Sequence, residues 1–205
     1  MLLDLPSLVK KYNMNVTGIV HIGGHYMEEL PVYRSLWPTI PIVTFEPAPD
    51  NFKVLQENTK HDPNVTCINR GLGPFSCRMD MYVETANNGQ SNSVLHPKIH
   101  LQQYPGIKFE NTIEIRIDAL DKYECSPILN FINIDIQGFE LHCFHGAKKT
   151  LRNVKYIISE VNRAEVYEDC AQIEELDEFL GKYGFQRLET TWDGGSWGDA
   201  LWRKL

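Results

Sequence analysis

Short runs of apolar and β-branched residues alternate along this chain with longer segments in which apolar residues recur at helical spacing. The short runs predict buried strands, at 18–22, 41–45, 65–68, 128–134 and 156–159. The periodic segments predict helices, at 28–36, 50–58, 140–152 and 172–182. Because the two kinds of element alternate with short connections, the pattern predicts an α/β fold in which helices cover both faces of a parallel sheet.

The remaining pattern adds elements around this alternation. An N-terminal extension at 1–16 contains a short predicted helix at 4–12, and the glycines and proline at 71–74 predict a turn. Alternation of apolar and polar residues predicts further strands, at 76–83, 113–117, 185–191 and 200–203. The last two form a predicted terminal hairpin. No repeat or linker divides the chain, so we predict one domain over residues 1–205.

Charge and the lack of a long apolar segment narrow the expected partners. The formal net charge is −7, and the lysines and arginines are scattered. A surface that binds nucleic acid normally carries a basic stripe, so nucleic acid is not an expected partner, although a compact RNA in a pocket stays compatible with this charge. No apolar run approaches the roughly 18 residues that cross a bilayer, so we expect no membrane insertion. The first residues also lack the pattern of a signal peptide.

The five cysteines are odd in number and show no CxxC spacing. They are Cys67, Cys77, Cys125, Cys143 and Cys170. This usage favours reduced thiols and argues against a disulfide framework or a zinc site. We therefore expect a cytoplasmic protein.

A glycine pair ends the first predicted strand and precedes a helix. Gly23 and Gly24 can bring a ligand against bare backbone at a helix N-terminus. Glu46 ends the second strand, where an acidic residue can bond ribose hydroxyls. The full GxGxxG of a dinucleotide site is missing, so the turn favours a nucleoside without phosphates, such as S-adenosylmethionine. A tight turn with a surface carboxylate is the alternative.

Carboxylates follow the next two predicted strands. Asp135 ends one, and Glu160 and Asn162 follow the other. A carboxylate at this edge can accept a proton from an attacking hydroxyl or hold a divalent cation, and the three oxygen-bearing side chains resemble a magnesium site. Alternatively, Asp135 caps the following helix.

Two polar loops have compositions that suit a substrate rich in hydroxyl groups. The stretch 191–199 combines Trp192, Trp197 and Asp199 with glycines, and indole faces with carboxylates are typical of sugar binding. A hairpin turn with packed tryptophans is equally compatible. The long segment 84–96, which includes Gln90 and Ser91, is either a functional lid or a solvated loop.

Taken together, these motifs resemble the FkbM-type methyltransferases. The resemblance rests on GIVHIGGHYMEELPVYR, VTFEPAPDNFKVLQEN, NFINIDIQGFELHCFHGAKKTL and YIISEVN, with NNGQSNS and WGDALW resembling one branch of that family. It implies a class I, Rossmann-like three-layer sandwich with a mostly parallel seven-stranded sheet and a C-terminal antiparallel hairpin. It also implies O-methylation of a hydroxyl, often on a sugar.

The resemblance implies positions for the cofactor as well. S-adenosylmethionine would be contacted from its methionine through its ribose to its adenine by His21, Gly23, Gly24, His25, Glu46, Pro47, Gly71, Leu72 and Asp135. Asp135 would also lie at the reacting edge as the catalytic residue. The chain departs from the family pattern at His21, where an aspartate is usual, and at Gly24, where alanine is usual. His21 is either a cofactor contact or a satisfied core histidine.

The sequence therefore predicts an S-adenosylmethionine-dependent O-methyltransferase acting on a hydroxyl of a sugar or glycan. The predicted substrate contacts are Gln90, Ser91, Glu160, Asn162, Trp192, Trp197 and Asp199. Three alternatives stay open: methylation of a non-carbohydrate metabolite, a dinucleotide-dependent oxidoreductase, and a nucleotide-binding interaction module. The pattern assigns neither an oligomeric state nor a place in a larger glycan-assembly protein.

Overall fold

A computed structural model describes residues 2–123 and 128–205 of the chain. Its strands are β1 Ile19–Ile22, β2 Ile42–Phe45, β3 Val65–Ile68, β4 Gly71–Leu72, β5 Cys77–Glu84, β6 Phe109–Asp118, β7 Phe131–Ile134, β8 Tyr156–Asn162, β9 Phe185–Trp192 and β10 Trp197–Lys204. Its helices are α1 Leu5–Tyr12, α2 Leu30–Leu36, α3 Pro49–Thr59, α4 His100–Gln103, α5 Glu140–His145 and α6 Ile173–Gly181. Most predicted elements are present, with ends that differ by a few residues.

Seven strands form the main sheet in the order β3-β2-β1-β7-β8-β10-β9. The first five are parallel, and β10 runs antiparallel to both of its neighbours. This confirms the predicted mostly parallel seven-stranded sheet with a terminal antiparallel hairpin. The chain proceeds from β1 towards β2 and later from β7 towards β8, so the strand order switches direction between β1 and β7. Ligands of open α/β sheets bind at such a switch point.

Alternate residues of the central strands enter two different cores. Val20 and Ile132 lie in one apolar cluster, and Ile19 and Phe131 lie in the other, with all four side chains buried. The adjacent strands therefore have apolar residues on both faces, which is why their sequences read as continuous apolar runs rather than as alternating patterns.

The register of the central strands brings their carboxyl ends together. Ile22 of β1 pairs with Phe45 of β2 and with Ile134 of β7. The residues that follow each strand must then meet at one edge of the sheet. The fold thus gathers the glycine turn and the acidic residues after β2 and β7.

A second sheet of three strands, in the order β4-β6-β5, lies outside the main sheet. The predicted turn at 71–74 is wrong in part, because Gly71 and Leu72 form β4 and pair in parallel with β6. A Cβ atom on Gly71 would lie 2.6 Å from Ile117 Cδ1. The glycine here allows close packing of the two strands and does not mark a reversal of the chain.

The predicted helix at 140–152 is shorter than expected. It ends at His145, and a separate 3₁₀ turn follows at Thr150–Arg152. The break lies at Gly146, where a Cβ atom would be 2.0 Å from the carbonyl oxygen of Gly73. Only glycine allows the two backbones to approach this closely.

Strand β8 is longer than predicted and changes the position of several candidate residues. It continues to Asn162, because Asp199 of β10 pairs with Glu160 and Trp197 pairs with Asn162. Glu160 and Asn162 therefore lie within a strand and not after one. The glycine-rich loop between β9 and β10 shrinks to residues 193–196.

The segment between β5 and β6, residues 85–108, folds over the carboxyl edge of the main sheet. The Glu84 carboxylate accepts hydrogen bonds from the backbone N–H groups of Asn87 at 2.6 Å and Gly89 at 2.8 Å. The Tyr167 hydroxyl donates to the carbonyl of Ser91 at 3.0 Å. Below, we refer to residues 85–108 as the β5–β6 segment.

Two further findings concern the cysteines and the helices. Cys67, Cys77, Cys143 and Cys170 are free thiols, and Cys125 lies outside the described residues. In the described ranges, no helix is long and apolar enough to cross a bilayer.

Candidate active site

A cavity of about 440 Å³ opens at the carboxyl edge of the main sheet. It is bounded by the ends of β1, β2, β7 and β8, by β10 and by the β5–β6 segment. Most of the residues predicted to bind cofactor or substrate line it, namely His21, Gly23, His25, Glu46, Pro47, Gly71, Leu72, Gln90, Ser91, Asp135, Glu160, Trp197 and Asp199. Gly24, Asn162 and Trp192 do not line it, so the structure does not support their predicted contacts.

The turn after β1 depends on glycine for two different reasons. Gly23 has a φ of +82°, and a Cβ atom there would lie 1.8 Å from the carbonyl oxygen of Asp135. Gly24 faces the other way, where a Cβ atom would lie 2.2 Å from Thr44 Oγ1. Their N–H groups donate to the Phe45 carbonyl at 3.0 Å and 2.8 Å. Gly23 therefore shapes the cavity wall, whereas Gly24 serves the packing behind it.

Glu46 places a buried carboxylate at the end of β2. It accepts backbone hydrogen bonds from His25 at 2.9 Å and from Ala48 at 2.8 Å. Burial raises the pKa of Glu46 to about 7, against the opposing effect of these two N–H groups. Two backbone hydrogen bonds thus hold the carboxylate at the cavity wall, where the sequence predicted a contact with ribose hydroxyls.

His25 links the glycine turn to the β5–β6 segment. Its Nε2 donates to the backbone carbonyl of Asn88 at 2.9 Å, and its Nδ1 lies 2.7 Å from Glu28 Oε1. The backbone of His25 has a positive φ of 43°. The imidazole therefore closes one side of the cavity and is itself already hydrogen-bonded.

His21 is both buried and part of the cavity wall, so the two interpretations of this residue are compatible. Its Nδ1 shares a hydrogen bond of 3.1 Å with the Tyr33 hydroxyl, which also accepts from Asn133 Nδ2 at 2.7 Å. Its Nε2 lies 3.9 Å from Glu29 Oε2, and Glu29 also lines the cavity. A carboxylate next to His21 is thus supplied by Glu29, eight positions further along the chain.

Two carboxyl groups meet across the ends of β7 and β8. The side-chain amide of Gln137 donates to Asp135 Oδ1 at 2.7 Å and to Glu160 Oε2 at 2.6 Å. The Tyr167 hydroxyl donates in turn to Gln137 Oε1 at 2.8 Å. Burial raises the pKa of Glu160 well above its usual range, and the adjacent charge of Asp135 adds to this effect. Burial and the Asp135 charge thus both favour the neutral form of the Glu160 carboxyl group.

Asp135 does not cap the helix that follows it. The backbone N–H groups of Ile136 and Gly138 are instead bound by Glu140 Oε1, at 2.9 Å and 3.2 Å. Burial and the Asp135 charge raise the pKa of Glu140 to about 7. Because Glu140 accepts the hydrogen bonds of these backbone N–H groups, the Asp135 carboxylate is not drawn into the turn and remains exposed to the cavity. Sequence reasoning assigned no role to Glu140, although it belongs to the quoted Asp-x-x-Gly-x-Glu motif.

The structure provides no support for a magnesium site at Asp135, Glu160 and Asn162. Over residues 2–123 and 128–205, no group of three or more His, Cys, Asp or Glu side chains is arranged to hold a metal ion. Asn162 is fully buried outside the cavity lining, and neither of its side-chain polar atoms has a hydrogen-bond partner.

The predicted tryptophan loop divides into one residue at the cavity and one away from it. Trp197 lines the cavity and donates from Nε1 to the Tyr104 hydroxyl at 2.7 Å. Trp192 instead stacks under the guanidinium of Arg163, 4.6 Å from its ring centre. Trp192 is also partly buried against the main apolar cluster, which agrees with the alternative that the tryptophan packs on the body of the protein.

Asp199 is buried beside Glu160 in the neighbouring strand. Its carboxylate accepts hydrogen bonds from the backbone N–H groups of Leu2 and Leu3, the latter at 3.3 Å. Burial and the charge of Asp135 raise the pKa of Asp199. The carboxylate is thus held by the N-terminal segment as well as facing the cavity.

Several cavity-lining residues were missed by sequence reasoning. They are mainly apolar or aromatic, and include Met81, His100, Tyr104, Ile107 and Val166. All except Val166 come from β5 or the β5–β6 segment. They belong to no motif, and the sequence carries no signal that would have placed them at the cavity.

The residues present fit S-adenosylmethionine. Gly23 leaves the backbone bare, Glu46 offers a rigid carboxylate, and Gly71 and Leu72 line the same cavity beside apolar Ile117. The bare backbone suits the amino-acid tail of the cofactor, the carboxylate suits its ribose hydroxyls, and the apolar surface suits its adenine ring.

Comparison with known proteins agrees with this chemistry. The chain matches the family model described as Methyltransferase FkbM domain over residues 21–187. It is also 24% identical over 194 residues to the 2-O-methyltransferase NoeI of Sinorhizobium fredii, and the alignment covers 90% of this chain and 78% of that relative.

Solved structures show the same fold. An S-adenosylmethionine-dependent methyltransferase from Aquifex aeolicus has a TM-score of 0.52 at 11% identity, covering 100% of this chain and 91% of that chain. TrmK from M. capricolum, in complex with S-adenosylhomocysteine, has a TM-score of 0.53 at 10% identity. That match covers 100% of this chain and 70% of the TrmK chain. From the family match, this fold and this cavity, we conclude that the chain is an S-adenosylmethionine-dependent methyltransferase of the FkbM family.

Proposed function

We propose that the protein transfers a methyl group from S-adenosylmethionine to a hydroxyl of a sugar or glycan. One observation carries this proposal: a single cavity joins the glycine turn and Glu46 to a second group of polar side chains around Asp135. A cofactor and an acceptor can therefore lie side by side. The proposal goes beyond the family assignment, which does not define the acceptor.

The acceptor end of the cavity has the composition expected for a carbohydrate. Trp197 and Tyr104 offer aromatic surfaces, while Asp135, Gln90 and Ser91 offer polar groups. Aromatic faces pack against the C–H surfaces of a sugar ring, and carboxylates and amides bond its hydroxyls. The name of the relative NoeI, a 2-O-methyltransferase, agrees with an oxygen acceptor.

The protein's part in the reaction is mainly one of alignment. When bound, S-adenosylmethionine supplies an activated sulfonium methyl group, so the protein must hold the acceptor oxygen in line with it. Asp135 is exposed to the cavity, and Gln137 holds its carboxylate by a hydrogen bond to Oδ1. We assign to Asp135 the hydrogen bond that orients the acceptor hydroxyl.

Two assays test the proposal. Calorimetry should show binding of S-adenosylhomocysteine but not of NAD. Methyl-labelled S-adenosylmethionine should then label members of a panel of monosaccharides and oligosaccharides. Asp135→Asn should reduce this turnover by about 100-fold and leave S-adenosylhomocysteine affinity near normal. Near-normal turnover of Asp135→Asn would contradict the role of Asp135.

A nucleic acid acceptor is the outcome that would contradict the sugar proposal. The solved structures that share this fold include RNA methyltransferases. The net charge of −7 and the carboxylates of the cavity disfavour a polyanion. The same labelling assay should therefore include total tRNA, and label on tRNA but on no sugar would replace the carbohydrate with RNA.

A further inference from the structure

His100 is a buried histidine in the cavity wall whose imidazole makes no hydrogen bond within the described part of the chain. It begins α4, and only 4% of its surface is exposed. Its Nδ1 is buried without a hydrogen-bond partner, and within the described part of the chain its Nε2 makes no hydrogen bond either. A neutral imidazole offers one donor and one acceptor. A molecule bound in the cavity can therefore supply the hydrogen-bond partner that the protein does not give this imidazole.

The other titratable groups of the cavity already have partners. Asp135 and Glu160 are bound by Gln137, and Glu46 is bound by two backbone N–H groups. His21 shares a hydrogen bond with Tyr33. The remaining buried side chains that lack partners are Thr44, His142 and Asn162, and none of these lines the cavity. Among the described residues, His100 is thus the unpartnered buried polar group that faces an occupant.

Three aromatic rings fix the orientation of the imidazole. The ring centres of Tyr104, Phe109 and Tyr167 lie 5.0 Å, 5.3 Å and 5.5 Å from that of His100. Tyr167 also donates to Gln137, which binds Asp135. His100 is therefore packed next to the hydrogen-bonded group that holds the carboxylates, and its ring cannot easily turn away.

The surroundings of His100 favour the neutral imidazole. Burial lowers its pKa below the usual value of 6.5, and the negative charge of Glu84 opposes this effect. Tyr104 and Tyr167 are the other titratable groups that pack against it. At neutral pH the ring can accept a proton.

We propose that His100 is the general base of the reaction, taking the proton of the acceptor hydroxyl. This inference rests on the proposed O-methyl transfer and deepens it. As the acceptor oxygen forms its bond to the methyl carbon, the electron pair of the breaking carbon–sulfur bond stays on sulfur. The hydroxyl proton moves to the imidazole, so the step leaves a methyl ether, a neutral thioether and a positively charged His100.

Asp135 is less suited than His100 to keep this proton. Its carboxylate already accepts a hydrogen bond from Gln137, and Glu160 lies beside it. These groups compete with an acceptor hydroxyl for the carboxylate, whereas the imidazole has no competing hydrogen-bond partner. An imidazole is also intrinsically more basic than a carboxylate, so it takes a hydroxyl proton more readily. Asp135 then orients the acceptor, and His100 removes its proton.

The test uses His100→Gln and His100→Ala with His142→Gln as the matched control. His142 also has a buried Nδ1 without a hydrogen-bond partner, but His142 does not line the cavity itself and only stacks on the lining residue Phe139. With a sugar from the panel and saturating S-adenosylmethionine, we expect kcat to fall by about 100-fold or more in both His100 variants. We expect the control to keep normal kcat, and all three variants to bind S-adenosylhomocysteine normally.

Two further readouts separate a base from a structural residue. In the wild-type protein kcat should fall as the pH drops below about 6.5, because a protonated imidazole cannot accept a proton, and His100→Gln should lack this decline. Added imidazole should restore part of the activity of His100→Ala. An unchanged pH profile in His100→Gln would overturn the assignment, as would the failure of imidazole to rescue a correctly folded His100→Ala.

Failure of this inference can be distinguished from failure of the proposed function. A methylated sugar together with near-normal kcat in His100→Gln contradicts the role of His100 alone. If wild-type protein binds S-adenosylhomocysteine but methylates no sugar, the proposed acceptor class is wrong, and the assignment of His100 to a sugar hydroxyl is wrong with it.

Discussion

Two residues at the cofactor end of the cavity show opposite ways in which a single side chain can matter. Gly23 is needed because a Cβ atom at this position would overlap the backbone of Asp135. We expect Glu46 to matter because it places a buried carboxylate at the cavity wall, directly after β2. The first effect is steric and the second electrostatic, so different measurements detect them.

Replacing Gly23 by alanine should destabilise the fold for two reasons, the strain of a positive φ and the overlap of the new Cβ atom with Asp135. The positive φ costs about 1–3 kcal/mol for a residue with a side chain, and overpacking adds a similar amount. Gly194 is the matched control, because its φ is also positive, at +98°, and a Cβ atom there would meet nothing within 4 Å. In urea denaturation, Gly23→Ala should lower the free energy of unfolding by at least about 1 kcal/mol more than Gly194→Ala does. Equal losses would show that the contact with Asp135 is not tight.

Cofactor affinity should depend on pH through Glu46, whose pKa is about 7. An ionised carboxylate accepts hydrogen bonds from hydroxyls more strongly than the neutral acid does. Affinity for S-adenosylhomocysteine should therefore rise from about pH 6 to about pH 8. In Glu46→Gln the affinity should be about 10-fold lower at the higher pH and show no such rise.

A control separates Glu46 from other buried acids. Glu140 also has a pKa of about 7, but its carboxylate binds backbone N–H groups outside the cavity lining. Glu140→Gln should keep the pH dependence of binding. Because folding raises the pKa of Glu46 from 4.5 to about 7, ionising it should also destabilise the unliganded protein as the pH rises through this interval. An affinity that is independent of pH in the wild-type protein would contradict the role of Glu46.

At the scale of elements, the β5–β6 segment decides how the cavity is closed. It supplies Gln90, Ser91, His100 and Tyr104 to the wall, and contacts from outside the segment hold it in place. Tyr167 is central to this, because its hydroxyl lies within hydrogen-bond distance of both the Ser91 carbonyl and Gln137 Oε1 and shares its one proton between them. One side chain thus connects the segment to the carboxylates at the sheet edge.

Removal of this hydroxyl should loosen the segment. In Tyr167→Phe we expect faster hydrogen exchange over residues 85–96, because a buried carbonyl loses its donor at a cost of about 1–3 kcal/mol. Tyr156→Phe is the control, since the Tyr156 hydroxyl binds the backbone of Asn15, far from the segment in the fold. Equal exchange over residues 85–96 in the wild-type protein and Tyr167→Phe would show that other contacts hold the segment.

At the scale of the whole molecule, the sequence correctly predicted the main sheet and the residues that meet at its carboxyl edge. Alternating strands and helices determine a parallel sheet, and the paired ends of β1, β2 and β7 then bring Gly23, Glu46 and Asp135 together. These relations follow from periodicity and from the topology of parallel sheets. The local sequence pattern was sufficient to bring these three residues together, because each of them directly follows a predicted strand.

The parts that were missed depend on contacts between distant segments. Asn162 looked like a strand-end residue, but pairing with Trp197 extends β8 and buries it. The second sheet forms because β4 pairs with β6, more than forty positions away. His100 reaches the cavity only because the β5–β6 segment folds over the edge of the sheet. No local pattern encodes these contacts.

The most direct test of the central claim is the identity of the atom that receives the methyl group. Wild-type protein would be incubated with ¹³C-methyl S-adenosylmethionine and the sugar panel, and the product followed by NMR. We expect a new methyl resonance that correlates with a sugar carbon, as in a methyl ether, and a strong reduction of this resonance with Asp135→Asn. A labelled methyl group on nitrogen or carbon, or on RNA in place of sugar, would contradict it.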